Sequence, residues 1–259
     1  MRNVETETSH RAPRLRREAA MFMLWPFLRS DAIKDPECDG LADFEKMLLE
    51  GFGGVVIFKH FSLKDPPLIL REIASLSKVV RGRTIIAPTS AHQVLPGEVA
   101  AAGMLGIKLD KIVTRNTVED ARRKGKPEPV LNEGAAQFIL DALDTVSRGG
   151  ILFIAPEAER RDNLEPYKSR TIGTLLVAAR RKAVNNIAFL FVDLRLDGRE
   201  ENYWGKSWFN PLNKYEVRIG RALTLPQVME TAGKIAHVDE KVIFPEMQRT
   251  AAIPTPSPT

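Results

Sequence analysis

A histidine and an aspartate five positions apart, His60 and Asp65, stand in the stretch Lys-His-Phe-Ser-Leu-Lys-Asp, between an apolar run and two prolines. An imidazole, with a reference pKa near 6.5, can take the proton of a hydroxyl at neutral pH. A carboxylate beside it can hold the second ring N–H and stabilise the imidazolium that forms. The spacing alone is a weak signal, and two structural interpretations compete with the catalytic one. Asp65 can be the N-terminal cap of a helix that opens with Pro66, and His60 can be a partly buried histidine at a strand end.

Charged residues also follow two other apolar runs. Arg115 comes directly after one of them, and Glu157, Arg160 and Arg161 come shortly after the other. If the three runs are parallel strands, their carboxyl ends open on the same edge of a sheet. A histidine, a carboxylate and several arginines would then face one cleft, where planar guanidinium groups can bind a phosphate. Each arginine could instead belong to an ordinary surface ion pair.

Strand-like and helix-like segments alternate from about residue 40 onward. Short continuous apolar runs predict buried strands, and longer amphipathic stretches predict helices. The alternation predicts an α/β fold with a mostly parallel central sheet flanked by helices, with an N-terminal helical lead-in. The predicted strands cover residues 54–58, 84–87, 111–114, 151–155, 186–193 and 215–220, and the predicted helices cover residues 40–52, 66–80, 96–106 and 133–147. The polar segment 119–130 is predicted to be a loop.

The chain is predicted to divide into a disordered tail at 1–13, a helical segment at 14–39, a main domain at 40–249 and a second disordered tail at 250–259. Both tails are polar and unpatterned, and the second is rich in Pro, Ser and Thr. In the helical segment, three arginines precede a short apolar run that contains Trp25. This helix either docks on the protein's own core or lies on a membrane, with its basic side chains and the tryptophan at headgroup level.

Composition narrows the classes of function. With 44% hydrophobic and 27% charged residues among 259, the chain can bury a core of ordinary globular size. Cys38 is its one cysteine, which excludes an internal disulfide framework and a cysteine zinc site and favours an intracellular protein. No His, Asp and Glu residues have metal-ligand spacing, and neither a P-loop nor a Gly-x-Ser-x-Gly elbow is present. We therefore expect no metal and no resident cofactor.

A formal net charge of +5 permits an anionic partner, or else reflects a solvated basic surface. The anion could be a phosphate-bearing substrate, an acidic lipid surface or a nucleic acid. The basic residues mostly alternate with acidic ones and lack interleaved aromatic side chains, so nucleic-acid binding is the weakest of these interpretations. We expect no nucleic acid among the partners.

Several motifs together, in order, resemble the glycerophospholipid acyltransferase family, which includes the lysophosphatidic acid acyltransferases. The resemblance covers roughly residues 40–227. The family's His-x4-Asp motif matches residues 60–65, and its glycine followed by an apolar strand ending in arginine matches residues 106–115. Its Gly-Gly, apolar strand and Pro-Glu-Gly-Thr-Arg-Ser match residues 149–161, which keep the Pro, the Glu and the first Arg. Residues 164–181 and 215–225 resemble the segments that follow.

The resemblance implies an acyltransferase that moves a fatty acyl group from acyl-CoA or acyl-carrier protein to a hydroxyl of a lysophospholipid or glycerol-phosphate-type acceptor. It implies that His60 is the general base and that Asp65 assists it. It further implies substrate-binding roles for Arg115, Glu157, Arg160 and Arg161, and no cofactor beyond the acyl thioester co-substrate. With the basic helical segment at 14–39, we expect a peripheral position on an anionic membrane at its cytoplasmic face.

Three departures from the family pattern bear on the acceptor more than on the reaction type. Ala158 replaces a glycine, Glu159 a threonine and Arg161 a serine. Glu159 would bring a carboxylate beside a phosphate pocket, unless it points away or pairs with Arg161. These departures leave a second interpretation open, a non-catalytic lipid-binding member of the same fold. The presence of both His60 and Asp65 favours the enzyme, because a binding module needs no base.

Overall fold

The computed structural model describes residues 30–59, 65–90, 102–103, 106–113, 115–156, 171–196 and 215–254; the side chains of residues 65–68, 90, 115–116, 120 and 196 lie outside that description. The described strands are β1 (Ser30–Lys34), β2 (Gly53–Phe58), β3 (Ile85–Ser90), β4 (Ile107–Ile112), β5 (Ile151–Ile154), β6 (Ile187–Leu196) and β7 (Tyr215–Thr224). They form one sheet in the order β1-β7-β6-β2-β5-β3-β4.

The sheet is parallel from β6 across to β4 and changes direction at one side. β2 pairs in parallel with both β5 and β6, and β3 pairs in parallel with both β4 and β5. β7 returns antiparallel to β6, and β1 lies parallel to β7. β2 and β5 are buried along their whole length, as expected for parallel strands covered on both faces. The predicted α/β class with a mostly parallel sheet is confirmed.

Helices cover both faces of the sheet and enclose two hydrophobic cores. The described helices are α1 (Gly40–Leu49), α2 (Asp65–Leu76), α3 (Lys78–Arg81), α4 (Arg115–Arg123), α5 (Ala135–Ser147), α6 (Thr171–Arg181), α7 (Leu225–Ala232) and α8 (Phe244–Ala251), with a 3₁₀ turn at Ile235–His237 and a π-helical turn at Asp239–Ile243. The core on the first face contains residues of α1, α2 and α3. The core on the second face contains residues of α5 to α8.

Strand β1 differs from the prediction for the start of the chain. The sequence places residues 14–39 in a helical lead-in, whereas Ser30–Lys34 is a strand that pairs with Tyr215 to Ile219 of β7. The sequence does not predict this strand because its five residues contain no long apolar run. Of its apolar residues, only Ile33 is buried. Residues 14–29, and the tail at 1–13, lie outside the described residues.

Helix α4 occupies part of a segment predicted to be a loop. The predicted loop spans residues 119–130, and α4 ends at Arg123 within it. Charged residues dominate this helix, so its sequence lacks the apolar stripe that predicts a packed helix. Before it, β4 ends at Ile112, so the predicted strand at 111–114 is displaced by several residues. Charged side chains at Lys108 and Asp110 interrupt the apolar pattern of β4. The predicted helix at 96–106 lies mostly outside the described residues.

The packed part of the chain continues past residue 249, where the sequence predicts a second tail. Helix α8 extends to Ala251, and Thr250, Ala251 and Ile253 are buried. The last ten residues are rich in Pro, Ser and Thr and so resemble a tail in composition, but the helix that leads into them packs on β6 and β7. Residues 255–259 lie outside the described residues.

Gly53 allows β2 to pass against the last turn of α5. A Cβ at this position would lie 2.0 Å from the carbonyl oxygen of Val146, a backbone atom that cannot rotate away. Gly53→Ala is therefore expected to lower the free energy of unfolding by about 1–3 kcal/mol in urea denaturation. At Gly82 an added Cβ would meet its nearest atom at 3.7 Å, so Gly82→Ala should stay within about 1 kcal/mol of wild type. Equal stability of the two variants would contradict the close approach.

Candidate active site

The residues that the sequence predicts for the site all follow strands that end at one edge of the sheet. β2 and β5 are adjacent parallel strands in register, with Ile57 opposite Ile154. The chain leaves them through Lys59 and through Pro156, and residues 60–65 and 157–161 come next. β4 is parallel to both and lies three strands from β2, which corresponds to about 14 Å across the sheet. The edge formed by the carboxyl ends of these strands is called the carboxyl edge below.

The predicted site residues themselves are only partly described. His60, Glu157, Arg160 and Arg161 lie outside the described residues. Asp65 is the first residue of α2 and Arg115 the first residue of α4, but neither side chain is described. The contact between His60 and Asp65 and the grouping of the arginines therefore stay predictions. The start of α2 at Asp65 is close to where the cap interpretation requires a helix to begin, and it does not exclude the catalytic one.

Both ends of the segment 157–170 are held at the carboxyl end of β5. The Thr171 hydroxyl donates a hydrogen bond to the Pro156 carbonyl oxygen over 3.1 Å, although the two residues are fifteen positions apart. Asp239 caps the N-terminus of α6 from a distant part of the chain, accepting from the backbone N–H of Ile172 at 3.2 Å and of Gly173 at 2.7 Å. Burial raises the pKa of the Asp239 carboxyl, and the two N–H donors oppose that shift.

A group of buried charges lies at the carboxyl edge, on the face of the sheet that α8 covers. We call Lys59, Asp193, Arg195, Glu216 and Arg218 the charge ladder. Lys59, Asp193 and Arg218 are only 4%, 4% and 5% exposed. Arg195 Nε lies 3.2 Å from the Asp193 carboxylate, and Arg218 Nη2 lies 3.2 Å from the Glu216 carboxylate. The ladder thus places charged side chains from the end of β2, from β6 and from β7 next to one another.

The carboxyl end of α8 is attached to this ladder. The carbonyl oxygen of Ala251 accepts hydrogen bonds from Arg195 at 2.5 Å and from Arg218 at 2.6 Å. A helix C-terminus carries partial negative charge and free carbonyl groups, so two guanidinium donors suit it. Burial raises the pKa of Asp193, while Arg195, Arg218 and Lys59 oppose the rise.

Sequence reasoning missed the ladder, although a signal for it exists. In β6, Asp193 and Arg195 are separated by one apolar residue, and in β7 Glu216 and Arg218 are separated in the same way. Side chains two positions apart in a strand point to the same face. Charges with this spacing at the end of otherwise apolar strands indicate a polar patch on one face. The pairing between the two strands is not visible without the fold.

A second polar cluster ties α2 to β1 on the opposite face of the sheet. The Ser30 hydroxyl donates to Glu72 Oε1 at 2.5 Å, and Arg71 Nη1 donates to Ser30 Oγ at 3.0 Å. Arg71 also forms an ion pair with Glu72 at 3.5 Å, and both side chains are buried. The helix that begins at Asp65 is thereby attached to the sheet. Burial raises the pKa of Glu72, opposed by the Ser30 hydroxyl and the Arg71 guanidinium.

The raised pKa of Glu72 predicts a particular pH dependence of stability. The folded protein binds the Glu72 proton more tightly than the unfolded chain does, so this contribution to stability is lost as pH rises through the folded pKa. The free energy of unfolding of wild type, minus that of Glu72→Gln, should therefore decrease as pH rises above about 4. Urea denaturation at a series of pH values measures it.

Glu128→Gln is the matched control for the Glu72 prediction. Arg122 donates to Glu128 on the surface and lowers the pKa of its carboxyl. The free energy of unfolding of wild type, minus that of Glu128→Gln, should therefore increase as pH rises, over a more acidic range. A Glu72→Gln difference that grows with rising pH would contradict the effect of burial on this carboxyl.

The described residues contain neither a membrane-spanning helix nor a metal-binding cluster. In the described part of the chain, no helix combines the length and apolar character needed to cross a bilayer. Within those same residues, no three or more His, Cys, Asp or Glu side chains are grouped so that they could hold a metal ion.

No protein-family model and no curated protein matches the sequence. Among solved structures, the chain is similar to the 1-acyl-sn-glycerophosphate (LPA) acyltransferase PlsC from Thermotoga maritima. The TM-score is 0.49 and the sequence identity 14%, over 97% of this chain and 85% of that one. Site residues are not transferred between two chains at this level of similarity.

Proposed function

We propose that the protein is an acyltransferase that moves a fatty acyl group from an acyl thioester, acyl-CoA or acyl-carrier protein, to a hydroxyl of a lysophospholipid or glycerol-phosphate-type acceptor. One observation carries the proposal. The proposed site residues, at 60–65, 115 and 157–161, come shortly after β2, β4 and β5, which are parallel strands ending at the carboxyl edge. Sites of open α/β sheets lie at this edge.

In the proposed reaction the acceptor oxygen attacks the thioester carbonyl carbon as His60 takes the hydroxyl proton. The C–O bond forms, the C–S bond breaks, and the departing thiolate receives the proton from the imidazolium, which returns His60 to its neutral form. The thioester is already activated, so no acyl-enzyme is needed. Asp65 would hold the second imidazole N–H and stabilise the imidazolium. Glu157 would orient the acceptor or brace an arginine.

The proposed acceptor pocket contains Arg115, Arg160 and Arg161, whose guanidinium groups suit a phosphate. We expect Arg115→Ala and Arg160→Ala each to remove a charge-assisted contact of about 1.5–3 kcal/mol. Acceptor use should therefore fall by roughly 10–10²-fold in kcat/KM, while the KM of the thioester donor changes little. Steady-state kinetics with each substrate varied in turn measures both. Unchanged acceptor kinetics in both variants would mean that the phosphate binds elsewhere.

Thiol release from acyl thioesters tests the function itself. Purified protein would be incubated with acyl-CoA or acyl-carrier protein, with lysophosphatidic acid, other lysophospholipids or glycerol 3-phosphate as acceptors. We expect acceptor-dependent thiol release and an acylated product in the mass spectrum. Lipid binding without thiol release for any donor and acceptor would overturn the proposal and favour the non-catalytic alternative.

We also propose that the protein lies at the cytoplasmic face of a membrane and binds it peripherally through residues 14–29. This segment has three arginines before an apolar run with Trp25, a composition that suits an anionic interface. Removal of residues 1–29 should reduce flotation with vesicles of anionic phospholipid. Equal flotation of the shortened, folded protein would assign this segment to the protein's own core.

A further inference from the structure

The charge ladder contains a lysine at a buried position, where apolar residues are usual. Lys59 directly follows β2 and is 4% exposed, although lysine is among the residues least often buried. Phe58 lies opposite Val192 in the parallel pairing of β2 with β6, so Lys59 continues that register to the level of Asp193. Asp193 in turn lies opposite Arg218 of β7. Lys59, Asp193 and Arg218 thus form one row of charges across three neighbouring strands.

The ladder does not need Lys59 to balance its charges. Asp193 and Glu216 supply two negative charges, and Arg195 and Arg218 supply two positive ones, within the ion pairs described above. Lys59 adds a further positive charge, whose attraction acts on the Asp193 carboxylate. Burying a lysine ammonium is costly, and apolar residues of similar volume often replace buried ions without loss of stability. Overall stability is therefore a weak reason for a cation at this position.

The position of Lys59 suggests another explanation. Lys59 directly follows Phe58, the last residue of β2, and the next residue in the chain is His60. A side chain that is buried and attracted to a carboxylate on a neighbouring strand restrains the backbone that bears it. The other four residues of the charge ladder belong to β6 and β7. Among the five, Lys59 is therefore the one that connects the ladder to β2, the strand that leads into residues 60–65.

We propose that Lys59 is a positioning residue, and that its attraction to Asp193 fixes the end of β2 and so the point from which His60 enters the active site. This inference rests on the proposed function for its catalytic part. Its structural part, restraint of the strand end, does not depend on which reaction the protein catalyses. A displacement of about 1 Å of a catalytic group can reduce a rate by 10²-fold, so restraint at this point has a measurable effect.

Lys59→Met tests the inference by two measurements on the full chain. Methionine keeps the length of the side chain and leaves the remaining four charges balanced, so the variant should fold. Amide hydrogen exchange in peptides that cover residues 55–60 should become several-fold faster, with exchange in β3 unchanged. The kcat of acyl transfer should fall about 10–10²-fold, with the KM of both substrates within about twofold of wild type. Lys59→Arg should recover most of both effects. Lys46→Met, on the exposed surface of α1, should change neither.

The outcomes separate the inference from the function on which it rests. Unchanged exchange at residues 55–60 in Lys59→Met would overturn the inference whatever the activity. Faster exchange with an unchanged kcat would overturn the positioning role, and faster exchange throughout the protein would reduce Lys59 to a general structural residue. If wild type transfers no acyl group to any acceptor while Lys59→Met loosens residues 55–60 alone, the proposed function fails and restraint of the strand end is supported.

Discussion

Replacing His60 by alanine is expected to lower the kcat of acyl transfer by about 10²–10⁴, the range that a positioned general base contributes. In the proposed mechanism His60 is the general base, so its loss leaves the acceptor hydroxyl without a positioned group to take its proton. Donor and acceptor should still bind, so their KM values should change little. Thiol release at saturating substrate measures the loss, and a thermal melt shows whether the variant is folded.

His92→Ala is the matched control for this change. His92 stands in another segment and has no aspartate at the matching distance. Its replacement should leave kcat within about twofold of wild type, since it removes an imidazole outside the proposed machinery. A folded His60→Ala protein that retains more than a tenth of wild-type turnover would show that His60 is not the base.

Asp65→Asn is expected to lower kcat by about 10²–10³ with little change in stability, and this separates the two interpretations of Asp65. Asparagine caps helices about as well as aspartate, so a residue that only caps α2 would tolerate the change. If Asp65 orients His60, the asparagine NH₂ can favour the wrong tautomer, and no negative charge remains to stabilise the imidazolium. The equivalent change in a serine protease triad costs about 10⁴ in kcat, and an activated thioester should be less demanding.

Asp39→Asn supplies the control, because its capping role is visible. Asp39 is the N-cap of α1, and its carboxylate accepts from the Ala42 backbone N–H at 3.2 Å. This substitution should leave kcat unchanged and alter stability by no more than about 1 kcal/mol, chiefly through its exposed ion pair with Lys34. An Asp65→Asn protein that behaves like Asp39→Asn in both measurements would make Asp65 a cap alone.

The central strands could be predicted from the sequence because their burial is complete. Residues 54–58 and 151–155 are continuous apolar runs, and β2 and β5 occupy nearly the same residues. α1 and α5 were predictable for a related reason, since each has a buried apolar face at helical spacing. These signals are local, and local signals are sufficient for elements whose whole surface enters a core.

Elements at the margin of the sheet carry weaker local signals. β1 has a single buried apolar residue and depends on β7 for its pairing. The antiparallel direction of β7 depends on where the chain returns after residue 196, which no pattern within β7 encodes. α4 is mostly charged, so its helical pattern differs little from that of a solvated loop.

The candidate site also has a part that the sequence can predict and a part that only the fold reveals. The sequence names His60, Asp65 and the arginines as candidates, because they follow recognisable strands and match the family's motifs in order, and these assignments stay predictions. It could not reveal that Arg195 and Arg218 bind the end of α8, or that Asp239 caps α6, because these contacts join residues far apart in the chain. Supports of this kind appear only when the order of the strands is known.

The hydrogen bond between Thr171 and Pro156 bears on how this scaffold can diversify. It joins the two borders of segment 157–170 to each other at the end of β5. Doubling the length of such a closed segment costs only about 0.6 kcal/mol in chain entropy. Segment 157–170 can therefore be altered or replaced while Pro156 and Thr171 stay together and the sheet keeps its register. Under the proposed function, Ala158, Glu159 and Arg161 lie within this segment, so a change of acceptor preference there would need no change in β5 or α6.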